Sequence, residues 1–146
     1  MDALRAIAST IASLGGIGFL RPAPGTWGSL AVLPLAFFPT WVALLAGLSF
    51  TALGYWALTR LPEASADPGW VVVDEAAGQS LALAAAGGWL GVLLAFAFFR
   101  LFDITKRGPV GWADRQPGAF GVMADDVIAG AMAAGVILLL GLMGIR

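Results

Sequence analysis

The chain has 146 residues, of which 60% are hydrophobic and only 12% are charged, and its mean hydropathy is +0.89. Soluble domains carry about a quarter charged residues, so this composition indicates a membrane protein, and the length suits a single domain over 1–146. The net charge of −1 offers no basic surface for a nucleic acid. Cysteine and histidine are both missing from the sequence, which excludes disulfides, thiolate metal sites and the commonest general base.

The N-terminal stretch 1-MDALRAIASTIASLGGIGFL-20 combines Arg5 with an apolar middle, as a signal peptide does. It contains no clear cleavage site of the small-residue type, and a Pro-rich segment follows it. We therefore predict a short amphipathic helix of the mature protein here.

The next hydrophobic block, 30–58, is longer than the ~20 residues that cross a bilayer. Pro39 interrupts it, because proline lacks a backbone donor and disfavours helix at the residue before it. The pattern predicts a short helix at about 27–38 and a membrane span at about 40–60. A polar loop rich in helix breakers, 61-LPEASADPG-69, follows the span.

The segment 70-WVVVDEAAGQSLALAAAGGWLGVLLAFAFFRLFD-103 allows two interpretations. It could form one span from about Gln79 to Phe99, or two shorter helices that break at Gly87-Gly88, where glycines weaken a helix. One span would separate its acidic residues onto two membrane faces, whereas two helices return the chain and bring them to one face. We predict the two-helix hairpin.

The last apolar segment, 122-VMADDVIAGAMAAGVILLLGLMG-144, opens with Asp125 and Asp126 and is long enough to cross a bilayer. We predict a helix from near Val122 that brings both acids to the face carrying the other carboxylates. The hairpin also satisfies the tendency of basic residues to face the cytoplasm, and leaves Arg146 alone outside. The residues predicted on the cytoplasmic side are Arg5, Arg21, Arg60, Arg100, Lys106, Arg107 and Arg115.

Five carboxylates and several cations therefore converge on one face of a predicted all-α, compact, multi-pass bundle with short and broken helices. Crowded carboxylates repel each other unless a cation binds among them, and sets of oxygen ligands select hard cations such as Mg²⁺. Basic side chains can hold a phosphate that the metal also touches, and an activated water completes a hydrolysis site. The acids are Asp74, Glu75, Asp103, Asp125 and Asp126, and the nearby cations are Arg100, Lys106 and Arg107.

Each acidic pair also has a purely structural explanation. Asp103 is three residues after Arg100 and four before Arg107, so it could pair with either on a helix. The two adjacent acid pairs could be placed near helix N-termini by the helix dipole alone. The small residues that follow Asp126 favour close helix packing rather than chemistry.

The segment 22-PAPGTWGSL-30 has the composition of a ligand-binding turn. Gly25 lets the backbone approach a ligand, while Thr26 and Ser29 offer hydroxyls at the start of a helix, where phosphate binds readily. The same residues are also typical of an ordinary Pro-Gly turn followed by a helix with a Thr or Ser cap.

Together these residues resemble the phosphatidylglycerophosphatase A family, over nearly the whole chain and in the family's order. The resemblance implies an all-helical bundle and a Mg²⁺-dependent lipid phosphatase that converts phosphatidylglycerophosphate to phosphatidylglycerol and inorganic phosphate. It also implies a multi-pass protein of the bacterial inner membrane with its active site facing the cytoplasm. The matching stretches are 15-GGIGFLRPAPGTWGSLAVLP-34, 73-VDEAAGQ-79, 99-FRLFDITKRGP-109 and 118-GAFGVMADDVIAGAMAAG-135.

Carried over by position, the resemblance assigns roles to individual residues. The family's metal ligands would be Asp74, Glu75, Asp103, Asp125 and Asp126; its catalytic residues Asp74, Asp103, Lys106 and Asp126; and its substrate-binding residues Gly25, Thr26, Ser29, Arg100 and Lys106. The chain departs from the family where a Lys-Pro-x-Pro pattern reads Lys106-Arg107-Gly108-Pro109 and where a Gly-Gly pair reads Gly118-Ala119. These changes loosen the loop but remove no acid.

Two mechanisms and two other classes of protein stay open from the sequence. Either a carboxylate positions or deprotonates an attacking water, or an Asp serves as the nucleophile. A small ion or proton transporter would also carry acids in its membrane segments, although transport favours acids in mid-span. A non-catalytic membrane subunit would need the acids only as helix caps.

Overall fold

The computed structural model describes residues 2–145, and within that part every regular element is a helix, which confirms the all-α prediction. The α-helices are α1 (Ala3–Ala12), α2 (Pro24–Val32), α3 (Thr40–Leu58), α4 (Val73–Leu83), α5 (Gly88–Thr105), α6 (Pro109–Asp114) and α7 (Gly118–Leu142), and three short 3-10 helices lie at Ile17–Phe19, Leu33–Phe37 and Pro62–Ala66. The expectation for Arg146 concerns a residue outside the described part.

The N-terminal helix forms as predicted. Its first turn is capped by the carboxylate of Asp2, which accepts a 2.7 Å hydrogen bond from the backbone N–H of Arg5. Ala8 and Ala12 are fully buried on one face, while the opposite face is exposed. This division is what an amphipathic helix on the side of a bundle requires.

The structure corrects the predicted helix at 27–38. The α-helix begins earlier, with Pro24 in its first turn, where a missing backbone donor costs nothing. It ends at Val32 and continues as the 3-10 helix Leu33–Phe37, which contains Pro34. The following span, α3, begins directly after Pro39 and agrees with the predicted range.

The two-helix hairpin is confirmed. The first helix, α4, ends at Leu83, and α5 begins at Gly88, which adopts a left-handed conformation with φ +63°. Glycine accepts that conformation without the clash that a Cβ would cause. The turn therefore lies at the glycine pair that the sequence indicated.

The helix at the centre of the bundle is α4. It packs against α3 and α7 most extensively and also against α2 and α5. Its 11 residues extend about 16 Å, too short to cross a hydrocarbon core of about 30 Å. The helices α3, α5 and α7 are long and apolar enough to cross a membrane.

The backbones of α4 and α7 approach closely at Gly78 and Gly130. A Cβ added to Gly130 would lie 2.8 Å from the Cα of Gly78, and one added to Gly78 would lie 2.9 Å from the carbonyl carbon of Asp126. These separations are shorter than the ordinary carbon contact of about 3.5–4.0 Å. The two backbones can touch only because both residues are glycine.

The last helix begins at Gly118 rather than near Val122, so the predicted start is wrong by about one turn. Pro117 occupies the N-cap position, and Gly118 has φ +67°. Gly121 then packs closely on the backbone of Gln116, which a larger residue could not do. Asp125 and Asp126 consequently lie in the third turn of α7 and not at its start.

Candidate active site

Three carboxylates meet where α4 and α7 cross. Asp74 and Glu75 lie in the first turn of α4. One carboxylate oxygen from each of Asp74, Glu75 and Asp126 lies within 4.8 Å of the other two. Asp74 precedes Gly78 by four residues, and Asp126 precedes Gly130 by four residues. Residues four apart share a helix face, so each Asp projects beside the point of helix contact.

The cluster contains oxygens that lack any hydrogen-bond partner among the described residues. They are Oδ1 of Asp74, Oε2 of Glu75 and Oδ1 of Asp126, and both aspartates are almost completely buried. Buried charge without a partner is strongly unfavourable, so a cation is the expected complement. The cluster could therefore hold a metal ion, and its all-oxygen character fits a hard cation.

Asp103 and Asp125 are buried next to this cluster but are already paired. The ammonium Nζ of Lys106 lies 2.6 Å from Oδ2 of Asp125 and 3.6 Å from Oδ1 of Asp103. Asp103 also forms an ion pair with Arg100, one turn earlier on α5. Five acids were predicted as metal ligands. Asp74, Glu75 and Asp126 lie together and have oxygens without a partner among the described residues, whereas Asp103 and Asp125 form ion pairs with Arg100 and Lys106.

Lys106 is fixed by its backbone as well as by its charge. It ends α5 in the left-handed conformation, with φ 47°, which is uncommon for a residue with a side chain and is found often at functional sites. Burial would lower the pKa of Lys106, but the hydrogen bond with Asp125 and the nearby charge of Asp103 outweigh it and raise that pKa. The ammonium therefore remains a fixed positive charge at neutral pH.

The predicted ligand-binding turn lies against the acidic cluster. A Cβ at Gly25 would lie 3.0 Å from Cδ of Glu75 and closer still to its Oε1, so the glycine lets α2 approach that carboxylate. Ser29 is fully buried, and its hydroxyl donates a 3.1 Å hydrogen bond to the carbonyl of Gly25. Thr26 is half-buried on the same helix. Their binding roles stay predictions.

Sequence reasoning assigned no role to two further residues, Gln79 and Asp114. Gln79 is fully buried, and both atoms of its amide lack partners among residues 2–145. Its position four residues after Glu75 was the available signal, because that spacing places both on one face of α4. Asp114 lies 3.4 Å from Lys106 Nζ, across a turn whose shape the sequence did not specify.

The structural explanations of the acids account for part of the site. Arg100 forms an ion pair with Asp103, as the structural explanation of that acid requires. The second cation beside Asp103 is Lys106 and not Arg107. The helix dipole favours the acids of the first turn of α4, but it fades within one turn and cannot account for Asp126 in the third turn of α7. The fold and site define an all-α protein with three helices long and apolar enough to cross a membrane, and with an acidic cluster that could hold a metal ion beside the side chains of Arg100 and Lys106.

Comparison with known proteins identifies the family. The family model described as Phosphatidylglycerophosphatase A matches residues 10–141, and the chain belongs to that family. Family membership supports a phosphatase activity, and the chain is accordingly an enzyme. No solved structure matches the chain.

Three curated relatives cover most of the chain. Phosphatidylglycerophosphatase A of Haemophilus influenzae is 38% identical over an alignment of 136 residues that covers 84% of this chain and 81% of the relative. The protein of the same name from Escherichia coli is 32% identical over an alignment of 135 residues that covers 86% of this chain and 78% of the relative. A Bacteroides thetaiotaomicron protein, provisionally named phosphatidylinositol-3-phosphatase, is 38% identical over an alignment of 135 residues that covers 79% of this chain and 81% of the relative.

Proposed function

We propose that this protein hydrolyses the terminal phosphomonoester of phosphatidylglycerophosphate in a Mg²⁺-dependent reaction that yields phosphatidylglycerol and inorganic phosphate. The observation that carries the proposal is the cluster of Asp74, Glu75 and Asp126, in which one buried oxygen of each side chain lacks a hydrogen-bond partner among the described residues. The cluster lies beside the cationic side chains of Arg100 and Lys106. The names of the Haemophilus influenzae and Escherichia coli relatives supply the substrate.

In this proposal Asp74, Glu75 and Asp126 hold the Mg²⁺. The fit rests on their unpartnered oxygens, their separation and the purely oxygen donor set. When bound, Mg²⁺ supplies charge neutralisation and Lewis acidity for phosphoryl transfer. Asp103 and Asp125 were expected in the same ligand set, and we now assign them to the neighbouring cations.

The cations bind the phosphate. Arg100 and Lys106 offer several N–H donors, and charge-assisted hydrogen bonds from such donors to phosphate oxygens are among the strongest in proteins. Asp103 and Asp125 position the two cations through the ion pairs already described. Because its pKa is raised, Lys106 stabilises negative charge and is a poor proton donor.

Bond cleavage needs a nucleophile on phosphorus and a proton for the leaving alcohol. We assign proton acceptance from an attacking water to a carboxylate of the cluster, with the water oxygen bonding to phosphorus as the ester P–O bond breaks. The departing glycerol oxygen then takes up one proton. Direct attack by Asp74 or Asp126 is the alternative, since an aspartate can form an acyl phosphate.

The proposed location is the inner membrane of a bacterium, with the acidic cluster at the cytoplasmic end of the bundle. The apolar helices α3, α5 and α7 support membrane association. The orientation rests on the basic residues predicted on one side. We further propose that 1–146 acts as a single domain.

The test is phosphate release by the purified protein from phosphatidylglycerophosphate in detergent micelles. Activity should disappear in EDTA and return with excess Mg²⁺. Phosphatidylinositol-3-phosphate is assayed in parallel because one relative is named for that lipid. Release that persists in EDTA after dialysis would contradict the metal assignment, and faster turnover of the inositol lipid would reassign the substrate.

The variant Asp126→Asn separates chemistry from structure. It keeps the side-chain volume but removes the charge, so the rate should fall about a hundredfold or more while the fold persists. Glu63→Gln is the matched control, because Glu63 is exposed and paired only with Arg5 among the described residues. Near wild-type turnover of Asp126→Asn at saturating Mg²⁺ would contradict the catalytic assignment of Asp126 and indicate a structural role.

A further inference from the structure

A large apolar groove lies beside the central helix, toward the end opposite the acidic cluster. Its volume is about 680 Å³, within the range of small-molecule sites, and its walls are hydrocarbon and aromatic side chains. The end of α2 with the 3-10 helix Leu33–Phe37 forms one wall, and the start of α5 forms the other. The end of α4 closes the groove between them.

One face of α5 extends from the groove to the ion pair of Arg100 and Asp103. Trp89 and Leu93 line the groove, and Phe96, Arg100 and Asp103 continue the same stripe at alternating intervals of four and three residues. Trp89 and Leu93 are 75% and 57% exposed. The stripe therefore begins at the exposed apolar side chains of Trp89 and Leu93 and ends at the ion pair of Arg100 with Asp103. Arg100 is one of the two cations that we propose to bind the phosphate.

The opposite wall repeats this arrangement. Leu30 and Leu33 line the groove, and Thr26 lies four residues before Leu30 on the same face of α2. Thr26 follows Gly25, which packs against Glu75 of the cluster. Both walls thus lead from the apolar groove to the proposed headgroup site.

The length of the path suits one lipid chain. Leu93 and Trp89 lie about 10 and 16 Å along α5 from Arg100, at 1.5 Å per residue. The hydrocarbon of a single leaflet is about 15 Å thick. A lipid whose terminal phosphate contacts Arg100 would therefore place an acyl chain at Leu93, the end of the groove nearer to Arg100.

We propose that this groove binds one acyl chain of the lipid substrate and thereby aligns its phosphate with the acidic cluster, an inference that rests on the proposed function. The surrounding bilayer is as apolar as the groove, so occupation gains little from the hydrophobic effect. Its contribution is orientation: a chain held along α5 restricts where the headgroup can lie. The groove consequently sets preference for chain length.

The experiment fills the groove and compares two substrates. Ala36→Trp and Ala86→Trp add bulk inside it, and Ala52→Trp adds the same bulk on an exposed face of α3 outside it. The full-length variants are purified in detergent, and their folding is checked by thermal unfolding. Hydrolysis is measured with dioleoyl phosphatidylglycerophosphate and with its dibutanoyl analogue, whose chains are too short to fill the groove.

We expect both groove variants to lower kcat/KM for the dioleoyl lipid by about tenfold or more through misplacement of the phosphate, with the dibutanoyl analogue affected less than about twofold. Ala52→Trp should match wild type with both. Equal loss on both substrates, or full activity of both folded groove variants on the dioleoyl lipid, would overturn the inference. Failure of wild type to hydrolyse either substrate would instead refute the proposed function.

Discussion

The contact between α4 and α7 offers a test of the site that changes no functional group. Gly130→Ala places a Cβ 2.8 Å from the Cα of Gly78, where about 3.5–4.0 Å is needed. The obstacle is backbone and cannot rotate away, so the helices must separate by about 1 Å. That displacement is transmitted to Asp126, four residues earlier, and a misplacement of about 1 Å can cost on the order of a hundredfold in rate.

The stability of Gly130→Ala should change less than its activity. Overpacking costs about 1–3 kcal/mol, and the better helix propensity of alanine offsets about 0.5–1 kcal/mol of that. Phosphate release is measured as a function of Mg²⁺ concentration, and we expect a higher Mg²⁺ requirement together with a lower maximal rate. Unfolding is followed in parallel to show that the variant remains folded.

The matched control lies on the same helix. A Cβ at Gly135 meets no atom within 4 Å, so Gly135→Ala should keep full activity and gain a little stability. If folded Gly130→Ala shows wild-type turnover and an unchanged Mg²⁺ requirement, the crossing does not set the geometry of the cluster. Equal losses in both variants would point to a general effect of helix stiffening.

Three further predictions concern single residues. Gln79→Met should raise the free energy of unfolding by about 1 kcal/mol, because it removes a buried amide that has no partner among the described residues, and a loss of stability would contradict this prediction. Because the pKa of Lys106 is raised in the folded protein, its ion pairs contribute fully to stability below the ordinary lysine pKa and are lost only as pH rises through the raised value. The Tm difference between wild type and Lys106→Met should therefore stay constant from about pH 7.5 to 9.5. Gly88→Cys should react with an impermeant maleimide only from the periplasmic side, whereas labelling from the cytoplasm would reverse the proposed orientation.

The sequence was sufficient for the arrangement of the long helices. Proline at 39 and the glycine pair 87–88 marked real breaks, and both follow from local backbone chemistry. The hairpin followed from the requirement that acids and cations be grouped rather than scattered through hydrocarbon. The structure then places Asp74, Glu75 and Asp126 in one cluster.

The details that sequence could not supply depend on contacts between distant residues. Whether Asp103 and Asp125 accompany the other acids or bind Arg100 and Lys106 is set by the conformation at the end of α5. The early start of α7 depends on the close packing of Gly121 on Gln116. No spacing in the chain encodes either contact, although glycine at such positions is compatible with it.

The shortness of α4 has a consequence for how the protein is made. This helix carries Asp74, Glu75 and Gln79 yet is too short to cross a membrane alone, and α7, which completes the cluster, leaves the ribosome after it. Until α7 inserts, the polar side of α4 has no Asp126 opposite it and no closed site for a cation. In the proposed function the metal site is therefore complete only once α7 has packed against α4, and a nascent chain stopped before α7 would leave the carboxylates of Asp74 and Glu75 without Asp126 beside them.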